Sequence, residues 1–207
     1  MRKPFYKGLP DAATLEEVYA AQVWLDEHFV IIDEGDQHFG FDDFYHTADE
    51  IEAALGRKVD TTTVDPWNEF NHSFTGYDGR EDKYLEAKLT EVRKNARQHL
   101  RHNFITTHIV KQEKRFTGEL GYYPPPTPRE LAGGQAWYRK AECMIGVWRP
   151  PYAEGMTPEY EKNETKLLVS KVKPKGVGAT GECSMFYDKH TGRFYEAGGH
   201  YAGEQGR

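Results

Sequence analysis

Apolar residues return at helical intervals along some stretches of the chain and gather into short unbroken runs along others. Thr14-Leu15-Glu16-Glu17 has the form of a capping box, and the helix it opens runs to about His28, with Leu15, Val18, Ala21, Gln22 and Leu25 on one face. Phe29 to Ile32 follows as an apolar run read as a buried strand. A second box, Thr47 to Glu50, precedes Ile51, Ala54 and Leu55, and Gly56 suits the helix stop. Val59 to Asp65 is β-branched apart from its aspartates, which predicts a strand that places Asp65 at its C-terminal end before Pro66.

Leu85, Leu89, Val92 and Ala96 keep helical spacing between about Glu81 and Leu100, and Phe104 to Ile109 predicts the next strand. A long Gly/Pro-rich loop containing Tyr122-Tyr123-Pro124-Pro125-Pro126 comes next. Strands are expected over Cys143–Trp148 and Lys166–Lys173, and a hairpin over Cys183–Tyr187 and Arg193–Glu196, turning at Gly192. Helices alternate with strands in the first half and hairpins dominate the second. The pattern therefore predicts an α/β fold with a mostly parallel sheet and antiparallel C-terminal hairpins. One domain over residues 1–196 and a disordered Gly-rich tail over 197–207 complete the expectation.

Composition narrows the function classes. The chain has 207 residues and 14% aromatics, which argues against wholesale disorder. It shows neither a membrane-spanning run nor a signal-peptide core, and a cytoplasmic location is expected. Cys143 and Cys183 lack CxxC spacing, so they read as reduced, buried thiols and not as a zinc site. The net charge is −6, but its distribution is uneven. Seven basic and 20 acidic side chains precede Lys88, whereas residues 88–115 hold eight basic against two acidic ones. A local basic face suits phosphate groups whatever the total charge; a solvated helix face is the plainer reading.

Several positions carry chemistry. Gly176 to Gly181 matches GxGxxG, but a strand pattern follows where a dinucleotide site needs a helix, so that motif is set aside. No GxxxxGK[ST] phosphate loop occurs in the sequence. An aspartate at the C-terminal end of a parallel strand, here Asp65, points into the crevice where α/β proteins bind ligands and suits water-mediated Mg²⁺. His108 is expected at a second strand end beside Lys111, Lys114 and Arg115, where an imidazole would sense phosphate or shuttle a proton. Lys171, Lys173 and Lys175 alternate before a glycine turn, which also fits lysines guarding an edge strand.

Together the segments VDPWNE (64–69), THIVK (107–111), Gly133-Gly134 with AECMIGVWRP (141–150) and KVKPKGVGATGECSMFYDKHTGRFYE (171–196) resemble the RecA-like ATPase core of replicative helicases. DnaB-like and Twinkle-like hexameric helicases and phage primase-helicases are the nearest in pattern. The resemblance covers residues 3 to 196 and implies an incomplete RecA-like three-layer sandwich. It implies that Asp65 is the Walker B aspartate, holding Mg²⁺ through water, with Glu69 just beyond it, and that His108 is a γ-phosphate sensor. It further implies that Lys111, Lys114 and Arg115 open a loop that contacts single-stranded DNA. Arg139 and Arg149 fall at polar or basic family positions, and Lys173 and Lys175 match a pair reaching into a neighbouring subunit's ATP site.

The family's phosphate loop and catalytic glutamate lie upstream of the position matching Met1. The resemblance therefore implies a split-gene product, fragment or degenerate copy whose P-loop comes from another chain in a homo- or hetero-oligomeric ring. The alternative class is a non-catalytic assembly or regulatory subunit of the same fold. A recombinase or packaging ATPase fits the 171–181 hairpin less well.

Overall fold

The computed structural model describes residues 12–33, 39–110, 112–156 and 160–197. Thr14 does cap the first helix, α1 (Leu15–His28): its hydroxyl accepts from the Glu17 N–H at 3.2 Å, and its own N–H donates to Glu17 Oε2 at 2.8 Å. No residue of α1 is buried. The expected strand over Phe29–Ile32 does not form. Phe29 has extended backbone angles, but Phe29, Val30 and Ile31 are 58%, 53% and 90% exposed and belong to no ladder. An apolar run reads alike in sequence whether or not a neighbouring strand is there to pair with it.

Helix α2 (Phe41–Leu55) begins about two turns before the expected start. The Gly40 N–H donates to Asp43 Oδ2 at 2.7 Å, and this closes the first turn in place of the Thr47 box. Phe41, Phe44 and Ala48 are the buried face, and Gly56, at φ +60°, ends the helix as expected. Strand β1 (Thr61–Val64) leads through a short turn at Trp67–Glu69 to α3 (Glu81–Gln98) and then to β2 (His102–Ile105). β1 and β2 pair in parallel, with Thr61 opposite His102 and Val64 opposite Ile105. The Thr62 hydroxyl donates to Asn103 Oδ1 at 2.7 Å, and Asn103 Nδ2 donates to the Val92 carbonyl of α3 at 3.0 Å. That relay ties the strand pair to its crossover helix.

The expected long loop contains structure. β3 (Arg115–Thr117) and β4 (Leu120–Tyr122) form an antiparallel hairpin, and α4 (Gly134–Lys140) follows a turn capped by Thr127 and Glu130. β5 (Cys143–Trp148), β6 (Glu164–Val172), β7 (Gly181–Asp188) and β8 (Arg193–Glu196) form a four-stranded sheet in that order, with β7 and β8 antiparallel. The protein is thus mixed α/β, with four helices and both parallel and antiparallel pairing among the described residues. Among the described residues its strands are divided among three sheets, not gathered into one mostly parallel sheet. Gly176–Gly181 runs into β7, as the sequence reading required for setting that motif aside. Among the described residues, no helix is long and apolar enough to cross a membrane.

The chain divides into two compact units, one of residues 1–33, 147–167 and 182–207, the other of 34–146 and 168–181. In the first, Trp148 meets Tyr160 edge-on at 5.6 Å, and Met156 and Met185 are buried. Its Asn163 Nδ2 donates to the Tyr187 carbonyl and to the Tyr195 hydroxyl. In the second, Trp67 is central: Phe41 lies at 4.6 Å, Trp137 at 5.4 Å and Tyr84 at 6.2 Å between ring centroids.

Charged groups extend the core of the second unit. Lys88 donates to both Asp42 oxygens at 2.8 and 2.7 Å and to Glu91 Oε2 at 3.0 Å. Burial opposes its charge, yet these hydrogen bonds outweigh burial and hold the ammonium above the ordinary lysine range. The Arg101 side chain, fully buried, reaches Asp49 at 2.9 Å and Glu52 at 3.0 Å on α2. Glu52 also accepts from the Val59 N–H, and this bond first, then Arg101, keeps its carboxyl below the usual range despite some burial.

Candidate functional site

The site is built where β1 and β2 end together. Asp65 follows β1 directly and is exposed; its Oδ1 accepts from the Thr106 hydroxyl at 2.5 Å. The Thr106 N–H donates to the Val64 carbonyl at 2.9 Å, and the Trp67 N–H donates to the Thr106 carbonyl at 2.8 Å. Beyond them, Asn68 Oδ1 accepts from the His108 N–H at 2.9 Å and the Thr107 hydroxyl at 3.2 Å. The structure therefore brings Asp65 and His108, two residues singled out by sequence, onto neighbouring strand ends. His108 lies three residues past β2, since the strand stops at Ile105 and not at Ile109. Its imidazole faces solvent.

Below this edge is a cavity of about 100 Å³ lined by Trp67, Asn68, His72, Tyr84, Thr107 and Trp137, among others. His72 stacks on Trp67 at 4.2 Å and has both nitrogens engaged, Nε2 with the Trp67 carbonyl and Nδ1 with the Tyr84 hydroxyl, each at 3.0 Å. The carbonyl only accepts, so Nε2 donates to it. Burial pushes the Tyr84 phenol up to about 12. Its aromatic lining supports the Asn68 turn from below.

The other sequence candidates lie elsewhere. Glu69 is exposed at the end of the short turn. Lys111 lies outside the described residues. Lys114 sits 5.6 Å over the Tyr123 ring, and Arg115 opens β3 opposite Tyr122; both cations are exposed, as is Phe116 at 69%. Arg139 lies 3.5 Å from Glu86 on α3, so it serves a surface ion pair between helices. Arg149 is exposed after β5, in the other unit.

Lys173 and Lys175 are exposed in the turn after β6. Lys171 departs from the edge-guard reading. It is 5% exposed, donates to the Tyr138 carbonyl and lies 4.8 Å over that residue's ring. Burial, then the neighbouring Lys173, pulls its ammonium below the ordinary range. Cys143 and Cys183 are exposed, not buried: Cys143 opens β5, and Cys183 lies in the exposed first three residues of β7.

Sequence reasoning missed Thr106 and Asn68. Their roles come from cross-strand hydrogen bonds about 40 residues apart in sequence, a relation no local pattern carries. Among the described residues, no group of three or more His, Cys, Asp or Glu side chains is placed to hold a metal ion. In the first unit, an open depression of about 500 Å³ is lined by Lys162, Asn163, Tyr187, Asp188, Lys189 and Tyr195. No protein-family model matches the chain, and no curated protein matches it either.

Proposed function

We propose that this chain forms the C-terminal part of a RecA-like ATPase core, acting within a ring-forming, ATP-dependent DNA helicase or translocase of DNA replication. The observation that carries this reading is the pairing of Asp65 with the Thr106–His108 segment at adjacent ends of two parallel strands joined by α3. Ligands of open α/β sheets bind outside such strand ends.

Mg²⁺ fits the site only in one manner. A single exposed carboxylate with one oxygen already engaged by Thr106 suits an ion that keeps most of its water and takes its remaining ligands from ATP phosphates. Bound there, Mg²⁺ would neutralise charge on the transferring phosphate. Asp65 would hold the ion through water, Thr106 fixes the carboxylate rotamer, and His108 would offer its imidazole to a phosphate oxygen. The sequence holds no GxxxxGK[ST] motif, and under this reading the phosphate cradle and the general base that the resemblance implies come from another chain.

The β3–β4 hairpin offers exposed Lys114, Arg115, Phe116 and Tyr123, the mixture of cations and stacking faces that grips a single strand without reading its sequence. Lys173 and Lys175, exposed in their turn, have the reach of cations acting on a neighbouring subunit's phosphate. Lysine supplies charge there without the bidentate fork of arginine.

The missing phosphate-loop motif favours one alternative, a non-catalytic assembly or regulatory subunit of the same fold that binds a helicase or single-stranded DNA. Fluorescence anisotropy with a labelled oligothymidylate tests the shared part of both. Binding is expected to be salt-sensitive and to weaken in Lys114→Glu/Arg115→Glu. Affinity unchanged by that double reversal removes the hairpin from the strand path. The two readings separate in an assembly with a chain carrying a P-loop: Asp65→Ala abolishes ATP turnover under the first and leaves it intact under the second.

A further inference from the structure

The backbone of residues 107 and 108 is held in an unusual way. Up to Thr106 the chain is secured by the β1 ladder, through the Thr106 N–H to the Val64 carbonyl. It is secured again at Ile109, bridged to Leu131, and at Val110, whose N–H donates to the Glu130 carbonyl at 3.0 Å. Between these anchors the strand ends diverge, and the bonds that hold residues 107 and 108 run to one atom, Asn68 Oδ1. The other side of that link is firm. Asn68 follows Trp67, which is 8% exposed, packed between Phe41 and Trp137, bonded through its N–H to the Thr106 carbonyl and through its carbonyl to His72.

We infer that Asn68 is a positioning residue, clamping His108 to the turn that carries Asp65 so that the two act on one ligand. This rests on the reading of Asp65 and His108 as a Mg²⁺–phosphate pair. The residue type fits the task. Asparagine offers a neutral acceptor for two donors, where aspartate would add a second negative charge beside Asp65, facing phosphate. Asn68 itself is exposed and contributes little to the core, so its substitution perturbs the clamp more than the fold.

The test uses the purified chain, with Asn68→Ala removing the acceptor and Asn68→Asp retaining one. Amide hydrogen exchange measured by NMR is expected to be about tenfold faster at His108 in Asn68→Ala, as one hydrogen bond is lost. The Trp67 amide, bonded to Thr106, keeps its wild-type rate and reports that the turn stays folded; Asn68→Asp stays close to wild type at both. Equal His108 exchange in wild type and Asn68→Ala overturns the clamp.

Substoichiometric Mn²⁺, standing in for Mg²⁺, is the second readout. Paramagnetic broadening is expected at the Asp65 and His108 amides of the wild type. In Asn68→Ala the ratio of His108 to Asp65 broadening falls at least twofold. An unchanged ratio in Asn68→Ala makes the bond merely structural and overturns the positioning role. Absence of broadening at Asp65 in the wild type overturns the metal reading beneath it, whatever the exchange rates show.

Discussion

Replacing Gly134 by alanine isolates one close approach on which the second unit depends. A Cβ built on Gly134 would lie 2.3 Å from the Pro128 carbonyl oxygen and 3.1 Å from Arg129 Cα. Both are backbone atoms, so no side-chain rotation relieves the contact. Neither side yields easily. The Pro128 turn is held by Glu130 Oε2, which accepts from the Thr127 N–H at 2.6 Å and its hydroxyl at 3.0 Å. The start of α4 is held by the Gly134 N–H to Leu131 carbonyl bond at 3.0 Å and by Trp137 Nε1, which donates to the Ala132 carbonyl at 3.0 Å.

Overpacking of this kind costs about 1–3 kcal/mol, and a contact with backbone belongs at the upper end. Alanine's helix preference over glycine returns roughly 1 kcal/mol at most. A net loss of about 2 kcal/mol is expected, read as a lower urea midpoint by tryptophan fluorescence with Trp67 and Trp137 as reporters. Gly76→Ala is the control, since nothing lies within 4 Å of its built Cβ and its φ is not positive. There the substitution is expected to be neutral or to stabilise by about 0.4–1 kcal/mol through the unfolded chain. If Gly134→Ala is as stable as Gly76→Ala, the close packing of α4 against the Pro128 turn is refuted.

Burial pushes the phenols of Tyr45 and Tyr84 up to about 12 from an ordinary value near 10. Their contribution to stability is therefore full below pH 10 and lost as pH rises through about 12; denaturation midpoints between pH 9 and 12, with phenolate absorbance, check this. Asn103→Leu leaves the Thr62 hydroxyl, 5% exposed, without its acceptor and is expected to cost about 1–3 kcal/mol. Adding Thr62→Val should recover part of that loss in a urea titration, and full additivity of the two would argue against the bond. Cys143 and Cys183, both exposed, should be modified by a disulfide reagent in the native protein without prior unfolding, as counted by released chromophore. The purified 207-residue chain, which lacks a phosphate-loop motif, should show no Mg²⁺-dependent ATP turnover. Turnover abolished by Asp65→Ala would require a different phosphate cradle.

The elements legible in the sequence were those whose signal is local. The Thr14 box, the α3 stripe, Asp65 at the end of β1 and the C-terminal hairpin follow from side chains within a few residues of one another. Elements set by distant partners were not legible. Lys88 lies on the inward face of α3, an alignment its charge hides, because Asp42 on another helix completes its hydrogen bonds. The early start of α2 was missed for another reason: its cap is local, Asp43 reaching back to Gly40, but glycine has no side chain to announce it. Helix α4 opens on Gly133-Gly134, residues that suggest a loop until their contacts with Leu85 and Pro128 are known. Asp65 and His108 were visible as residue types, but the Thr106 and Asn68 links between them were not.

The parallel pairing of β1 with β2 also sets a schedule for biosynthesis. Thr62 finds its partner Asn103, and Asp65 its partner Thr106, only 41 residues later in the chain. At roughly 5–20 residues per second, about 2–8 s separate the emergence of one strand from that of the other. Through that interval the Val64 and Trp67 side chains, both buried in the finished unit, lack the partners that cover them. Helix α3, whose signals are all local, is complete before β2 arrives and holds the intervening chain short. Ribosome pausing between residues 70 and 100 would lengthen the exposure of those two side chains, and that window is where a holding chaperone would find this protein.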